Sequence, residues 1–423
     1  MQEKLKQLPV LFGENLAVIL LLVSFYLFVS KSLYNISFAL MAVLGMYRLL
    51  RDSDFLLRNP ETKLFSLLFL AIWLPMAIAL TDAFTFSRSV QTVIPYLRYF
   101  FVGAYVLYEA MRRDRFLDRV ETGFFIIVTF WSVDGFLQFL TGTDIFGYPY
   151  VNGVYITGPF YPELTIGHVL AGVSALYFES LRRRSARYPW IWLLVIPLYI
   201  VVFDCGRRSV WFMLALNTLG FSIYHITVAR YRRRLITRLI LGGLIVALVL
   251  GVVLATQQTV QRRVHMTMGL FSTNIEQIDA ATSNRIDLWK TAWNMYTHHW
   301  INGIGPRCFR DAYRDYAKKD YSFYKTSQTH PHMMLMEILA ESGSIGLAGY
   351  LFFLFLLWRN TRRYLDNKTC FACFLSLFTA TFPLNSHVAF YGAYWSSIMW
   401  WMLIFTLMNV HAVNVSKKLM HQT

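Results

Sequence analysis

Apolar stretches of roughly 17 to 25 residues alternate with short polar loops along the chain, and this is the length a helix needs to cross a bilayer core. They begin near Asn15, Leu33, Leu64, Thr92, Val120, Leu164, Tyr188, Ser209, Leu235, Glu337, Thr369 and Ala393. In lipid only helices and closed barrels satisfy every backbone polar group, and continuous apolar runs exclude the alternating pattern of a barrel. The pattern predicts an all-α, polytopic integral membrane protein with about 12 transmembrane helices.

The loops orient those helices. Arg48, Arg51, Arg58 and Lys63 share one side with Arg112, Arg113, Arg115 and Arg119, with Arg182, Arg183, Arg184 and Arg187, with Arg230, Arg232, Arg233, Arg234 and Arg238, and with Arg359, Arg362, Arg363 and Lys368. The positive-inside rule makes that side the cytoplasm, and both termini join it. The outward short loops carry almost no positive charge apart from Lys31 and Arg88, until the turn Asp204-Cys205-Gly206-Arg207-Arg208-Ser209. Two arginines there oppose the topology signal, and charge at such a place costs insertion free energy. Either Asp204 and interfacial water hold them, or they bind an anion.

Composition agrees: 423 residues, 56% apolar, 17% aromatic, mean hydropathy +0.43. The net charge of +16 would suggest nucleic acid in a soluble protein. Most of it sits in the inward loops as a topology signal, so the expected partners are membrane lipids and not nucleic acid. The first apolar run has no small-residue cleavage site after it and leads into another span, so it reads as a first helix. Four cysteines are too few for a disulfide framework. Cys370 and Cys373 fall in an apolar helix as small hydrophobes, whereas Cys205 and Cys308 both face outward, where a bridge is open but nothing supports it.

No internal repeat is visible, and the longest loop lies late in the chain. The expected organisation is residues 1–256 as helices 1 to 9, residues 257–335 as an outer loop domain with helical segments, and residues 336–423 as helices 10 to 12. Between Gln257 and His332 stand ten basic and six acidic residues. A loop this long escapes the positive-inside rule. Ser283 is placed to cap a helix whose residues Leu288, Trp289, Ala292, Trp293 and Tyr296 share one face. Gly303 and Gly305 mark a turn. Beyond it Tyr313, Tyr316, Tyr321, Phe323 and Tyr324 interleave with Arg310, Arg314, Lys318, Lys319 and Lys325, which suits lipid headgroups and a sugar-phosphate ligand equally.

Thr329-His330-Pro331-His332 precedes the tenth span, with Pro331 where a helix starts well. The positive end of a helix dipole disfavours imidazolium, so a histidine there stays neutral and can accept a proton. The alternative is a capping hydrogen bond. No cysteine or carboxylate cluster stands nearby at ligand spacing, so no metal is expected. Arg98, Asp134, Gln138 and His168 lie in the outer half of the bundle, where a polar group is expensive. An Arg98–Asp134 ion pair is one reading, and a site open to the outside is the other.

The segment from Thr329 to Gly346, THPHMMLMEILAESGSIG, resembles the signature of the O-antigen ligase and polymerase superfamily, a histidine segment leading into a helix with a Leu-Ala-Glu-x-Gly core. Asn284-Arg285-Ile286-Asp287-Leu288-Trp289, followed by Gly303-Ile304-Gly305 and Phe309, is similar to the family's outer-loop motif. Arg208-Ser209-Val210-Trp211 resembles its element after the seventh span. Met333 departs from the asparagine common in the family, and Gly206-Arg207-Arg208 lacks the usual Ser or Thr before the arginine.

The resemblance implies an O-antigen ligase of the Gram-negative inner membrane, with a large periplasmic loop between helices 9 and 10 and a site facing the periplasm. Such an enzyme is an inverting, metal-independent glycosyltransferase that needs no cofactor. It moves glycan from undecaprenyl diphosphate to the lipid A core. Arg208 and Arg285 are then expected to neutralise the leaving diphosphate, with Arg207 in support, and His332 to be the general base. His330, Arg98 and His168 are expected on the substrate side. The rivals are an O-antigen polymerase and a non-enzymatic transporter of lipid-linked glycan.

Overall fold

In the computed structural model, six helices are long and apolar enough to cross a membrane: Pro60–Asp82, Phe86–Ala110, Phe116–Thr141, Arg208–Val228, Met334–Tyr364 and Ala393–Met420. Shorter apolar helices cover Asn15–Val29, Pro189–Asp204 and Lys368–Ala380. Helices also form at Tyr34–Arg51 and Ile166–Ser185. The structure describes residues 15–228, 258–385 and 389–420, with single positions between 229 and 257. The ninth expected span, near Leu235, and both chain ends lie outside the described residues. Every other expected start falls on a described helix or within two residues of one. Further helices cover Phe55–Arg58, Gln258–Met268, Ile275–Thr282, Ile286–His298 and Phe309–Tyr316, and the other described residues form turns, 3-10 segments, irregular chain and two isolated β-bridges in the 143–155 loop.

The outward surfaces of these helices are apolar, as lipid requires. Leu67, Leu70 and Leu74 are exposed on Pro60–Asp82, as are Leu351, Phe352 and Phe355 on Met334–Tyr364. Pro95 ends the helix Phe86–Tyr96, and a second helix, Arg98–Ala110, starts after Leu97. A proline supplies no N–H and clashes with the preceding turn, so it interrupts a span at this point.

The chain forms two compact units. One comprises Met1–Thr122, Asn284–Cys370 and Thr381–Thr423, and the other Gly123–Ser283 and Phe371–Ala380. In the second, Asn217 ties helices together: its Nδ2 donates to the Ala171 carbonyl at 2.8 Å, and its Oδ1 accepts from Thr379 Oγ1 at 2.7 Å. Between apolar helices such bonds supply association that lipid does not. Gln138 and Asp134 shape the loop that follows their helix. Gln138 donates to the carbonyls of Tyr148 and Pro149 and accepts from the amides of Thr157 and Gly158, and Asp134 Oδ1 accepts the Ile145 amide at 2.8 Å. Arg98, in the first unit, donates to the Tyr99 hydroxyl at 2.8 Å. Within its own unit the Asp134 carboxyl group is thus used to hold the loop.

The first unit is organised by a break in its central helix. Within Met334–Thr361, Gly343 has φ +62 and ψ −156, which ends one helical run and starts another. The break releases the carbonyls of Ala340 and Glu341 and the amides of Ser344 and Ile345, which would otherwise bond one another across the turn. Residues 300–305 splice into the gap. The amides of Ile304 and Gly305 donate to the Ala340 and Glu341 carbonyls at 2.9 and 3.0 Å, and those of Ser344 and Ile345 donate to Trp300 and Ile301 carbonyls at 2.8 and 3.0 Å. All four released groups are satisfied, so the outer loop is joined to the helix by backbone pairing.

Two sequence expectations for the outer loop change. Ser283 does not cap the following helix: the helix is Ile286–His298, its N-cap is Arg285, and Ser283 sits at φ +66, outside the extended region a capping serine needs. Its buried face is Leu288, Thr291, Ala292 and Met295, packed with Ile304, Phe309, Ala312, Tyr313 and Ala340, while Trp293 is exposed. Pro331 does not start the central helix either. That helix begins at Met334 after an extended Met333, because His332 at φ +52 turns the chain first.

Candidate active site

The histidine segment, the outer-loop helix and the Gly305 turn converge in the first unit. His330 and His332 bring their rings to a centroid distance of 4.1 Å. His330 is buried, with Nδ1 2.9 Å from Thr329 Oγ1 and an enclosed Nε2 that has no hydrogen-bond partner among the described residues. His332 is half-buried. Burial is the first cause that holds the His330 pKa well below the ordinary histidine value, followed by His332, Arg307 and Arg285. The expectation of a neutral histidine thus meets a different physical cause, desolvation with cationic neighbours in place of a helix dipole. Arg285 and Arg307 thus act electrostatically on His330.

Arg285 is buried at the head of its helix. Below the histidines, Glu337 and Glu341 are buried one turn apart on the central helix. Glu337 accepts the amides of Phe390 and Tyr391 at 2.9 and 3.1 Å, and Glu341 accepts those of Arg307 and Phe309 at 2.7 and 3.3 Å. Each carboxyl group therefore clamps one strap of backbone through two amide hydrogen bonds. Arg307 acts electrostatically on both carboxylates. The first amides of the central helix are satisfied as well: Met334 donates to the Asn385 carbonyl and Leu335 to that of Pro383.

Hydrogen bonds also order the basic, aromatic part of the loop. His299 bridges Asp82 at 2.8 Å and the Tyr316 hydroxyl at 2.7 Å, Arg88 pairs with Asp311 at 2.6 Å, and Asp287 accepts the amide and hydroxyl of Ser322. Cys308 lies in this packing beside Ser89, and burial pushes its thiol pKa up. All four cysteines are free and buried.

The second unit carries the other expected residues. Gly206, at φ +76, turns the chain into the helix that begins at Arg208. Arg208 Nη2 donates to Ser283 Oγ at 2.7 Å, which is what that serine does in place of capping. His168 is buried with Nε2 3.4 Å from Ser209 Oγ. Trp211 anchors the turn through Nε1 to the Phe203 carbonyl at 3.2 Å. Arg207 and Arg208 are both half-buried. This unit therefore holds Arg207, Arg208 and His168, and the first holds Arg285, His330 and His332, with Arg98 on its own helix away from that segment in sequence.

Sequence reasoning missed Arg307, Glu337 and Glu341. The glutamates stood within the Thr329–Gly346 segment without an assigned role. Arg307 was one cation among many in a basic loop. Among the described residues no group of three or more His, Cys, Asp or Glu side chains is placed to hold a metal ion.

Residues 192–351 match the family model described as O-antigen ligase, a stretch that contains both arginine elements, the histidine segment and the break at Gly343. Over this stretch, less than half of its 423 residues, the chain is similar to the O-antigen ligase family. No curated protein matches the chain.

Proposed function

We propose that this multi-pass membrane protein is an O-antigen ligase that transfers glycan from undecaprenyl diphosphate to the lipid A core on the periplasmic side of the Gram-negative inner membrane. The observation that carries the reading is the buried His330, its ring tilted 4.1 Å from that of a half-buried His332 and its pKa held down by burial and by the charges of His332, Arg307 and Arg285. A hydroxyl of the acceptor sugar attacks the anomeric carbon, the carbon–oxygen bond to the diphosphate breaks, and configuration inverts. His332 takes the hydroxyl proton, since it is reachable where His330 is enclosed. The diphosphate leaves with the bonding electrons, and arginine forks stabilise the charge that develops on it. Arg285 serves in the first unit, and Arg208 with Arg207 are assigned the same task.

The donor already stores the energy of transfer, so no cofactor is called for. The protein has to orient two substrates and neutralise charge, tasks suited to clamped straps and arginines. His168 and Arg98 are assigned to the substrate side. Residues 257–335 are the periplasmic loop domain in this reading, between helices 1 to 9 and 10 to 12.

The second reading, an O-antigen polymerase, shares the fold and the arginines but joins two lipid-linked glycans. Deletion in the source cell separates them. A ligase leaves the lipid A core unsubstituted while long lipid-linked glycan accumulates; a polymerase shortens the glycan, and that result would replace the proposal.

A further inference from the structure

Arg307 follows Gly305 and Pro306 out of the helix splice, and its backbone is left-handed at φ +65. Arginine adopts that conformation at a cost that glycine or asparagine avoids. Glu341 holds it there, accepting the Arg307 amide at 2.7 Å and the Phe309 amide at 3.3 Å. The constraint acts on the backbone and leaves the side chain uncommitted. Among the described residues the guanidinium makes no hydrogen bond and no ion pair within contact distance, although it is half-buried and its Nη1 is enclosed. Its charge is felt by His330, Glu337 and Glu341. The two glutamates are already occupied by four backbone amides and do not consume the donors of the guanidinium.

We propose that Arg307 binds a phosphate oxyanion of a substrate, alongside Arg285 at the histidine pair. The inference rests on the ligase reading and adds a substrate-contacting residue to it. An arginine whose backbone is clamped and whose guanidinium donors are left uncommitted suits charge-assisted recognition of phosphate. That phosphate is either the diphosphate of the lipid-linked donor or a phosphate on the glycolipid acceptor, and the two can be told apart.

The test uses the full chain in lipid nanodiscs as wild type, Arg307→Asn, Arg307→Lys and Arg285→Lys. The probes are undecaprenyl diphosphate without glycan, lipid A core, and dephosphorylated lipid A core. Asparagine tolerates the left-handed backbone, so Arg307→Asn keeps the turn. It should weaken one phosphate probe on the order of tenfold to a hundredfold, as loss of charge-assisted hydrogen bonds predicts. Arg307→Lys should recover only part, because it lacks the fork. A loss confined to undecaprenyl diphosphate assigns Arg307 to the donor. A loss of the preference for phosphorylated over dephosphorylated core assigns it to the acceptor.

Wild-type affinity for both phosphate probes in Arg307→Asn overturns the proposal, and where that variant does not fold, wild-type affinity in Arg307→Lys does so. If this happens while Arg285→Lys loses donor binding, the ligase reading stands without Arg307. If the wild type binds neither phosphate probe, the ligase reading falls and the role of Arg307 falls with it.

Discussion

Gly303 and Gly343 meet backbone to backbone at the helix splice: a Cβ on Gly303 would stand 2.4 Å from the Ser342 nitrogen, and one on Gly343 would stand 2.5 Å from the Ile301 carbonyl carbon. Both have positive φ, +70 and +62. The contact fixes the outer loop against the central helix, and through it the Gly305 turn, Arg307 and the clamp of Glu341.

Alanine at either glycine should therefore disrupt the site and not merely loosen a loop. The left-handed backbone costs roughly 1–2 kcal/mol for a non-glycine residue, and overpacking against main chain adds about 1–3 kcal/mol. Gly303→Ala and Gly343→Ala should each lower the melting temperature in detergent and abolish transfer. Gly142, where an added Cβ meets nothing within 4 Å, is the control. Its Gly142→Ala variant has the φ penalty alone, so equal losses at all three positions would refute the splice argument.

Arg208→Lys and Arg285→Lys keep a charge but lose the planar fork that matches phosphate oxygens. Each should reduce the transfer rate roughly tenfold or more relative to the amount of folded protein. Normal rates in both variants would show that the arginines serve the structure and do not grip the diphosphate.

Apolar length located the starts of the described apolar helices, six of which are long and apolar enough to cross a membrane. The histidine segment and the two arginine elements were also legible, since charge is conspicuous beside apolar runs. The break at Gly343 was not: Glu341-Ser342-Gly343-Ser344 lies in an apolar run whose period continues on both sides, and only the pairing with residues 300–305 makes the glycine a hinge. Arg307 was hidden for a related reason. Its distinction is a left-handed backbone held by a carboxylate 34 positions later, and local composition carries no trace of that bond. Ser283 misled because a serine before a helical pattern has two uses, capping and accepting from a distant arginine, and spacing does not separate them.

If residues 257–335 face the periplasm, a reporter fused near Ser322 should be active only outside the cytoplasm, and one in the Arg182–Arg187 loop only inside. The assignment rests on the arginine-rich short loops. A cytoplasmic signal near Ser322 would move the histidine segment to the wrong side for periplasmic transfer.

His330 predicts a pH dependence. Its pKa is held well below the ordinary histidine value in the folded chain, so on acidification the unfolded chain takes up a proton that the folded chain refuses. Stability then rises with pH up to the unfolded value of about 6.5 and is lost progressively below it. Between pH 7.5 and 5 the melting temperature of the wild type should fall more than that of His330→Asn, which cannot titrate. Identical pH slopes in the two proteins would mean that His330 is not held neutral by its surroundings.

His332 should be needed for turnover and not for folding. It is half-buried, and its left-handed backbone, φ +52, makes asparagine the cleanest substitution, since asparagine accepts that conformation where alanine resists it. His332→Asn should insert, melt near the wild-type temperature and still bind undecaprenyl diphosphate. General-base catalysis is worth about 100-fold to 10,000-fold in rate, so transfer under conditions where chemistry limits turnover should fall within that range. His330→Asn, which removes the enclosed partner ring, should cost less. A His332→Asn enzyme within a few-fold of wild type would take the base role away from His332, and a full loss in His330→Asn alone would move that role two residues upstream.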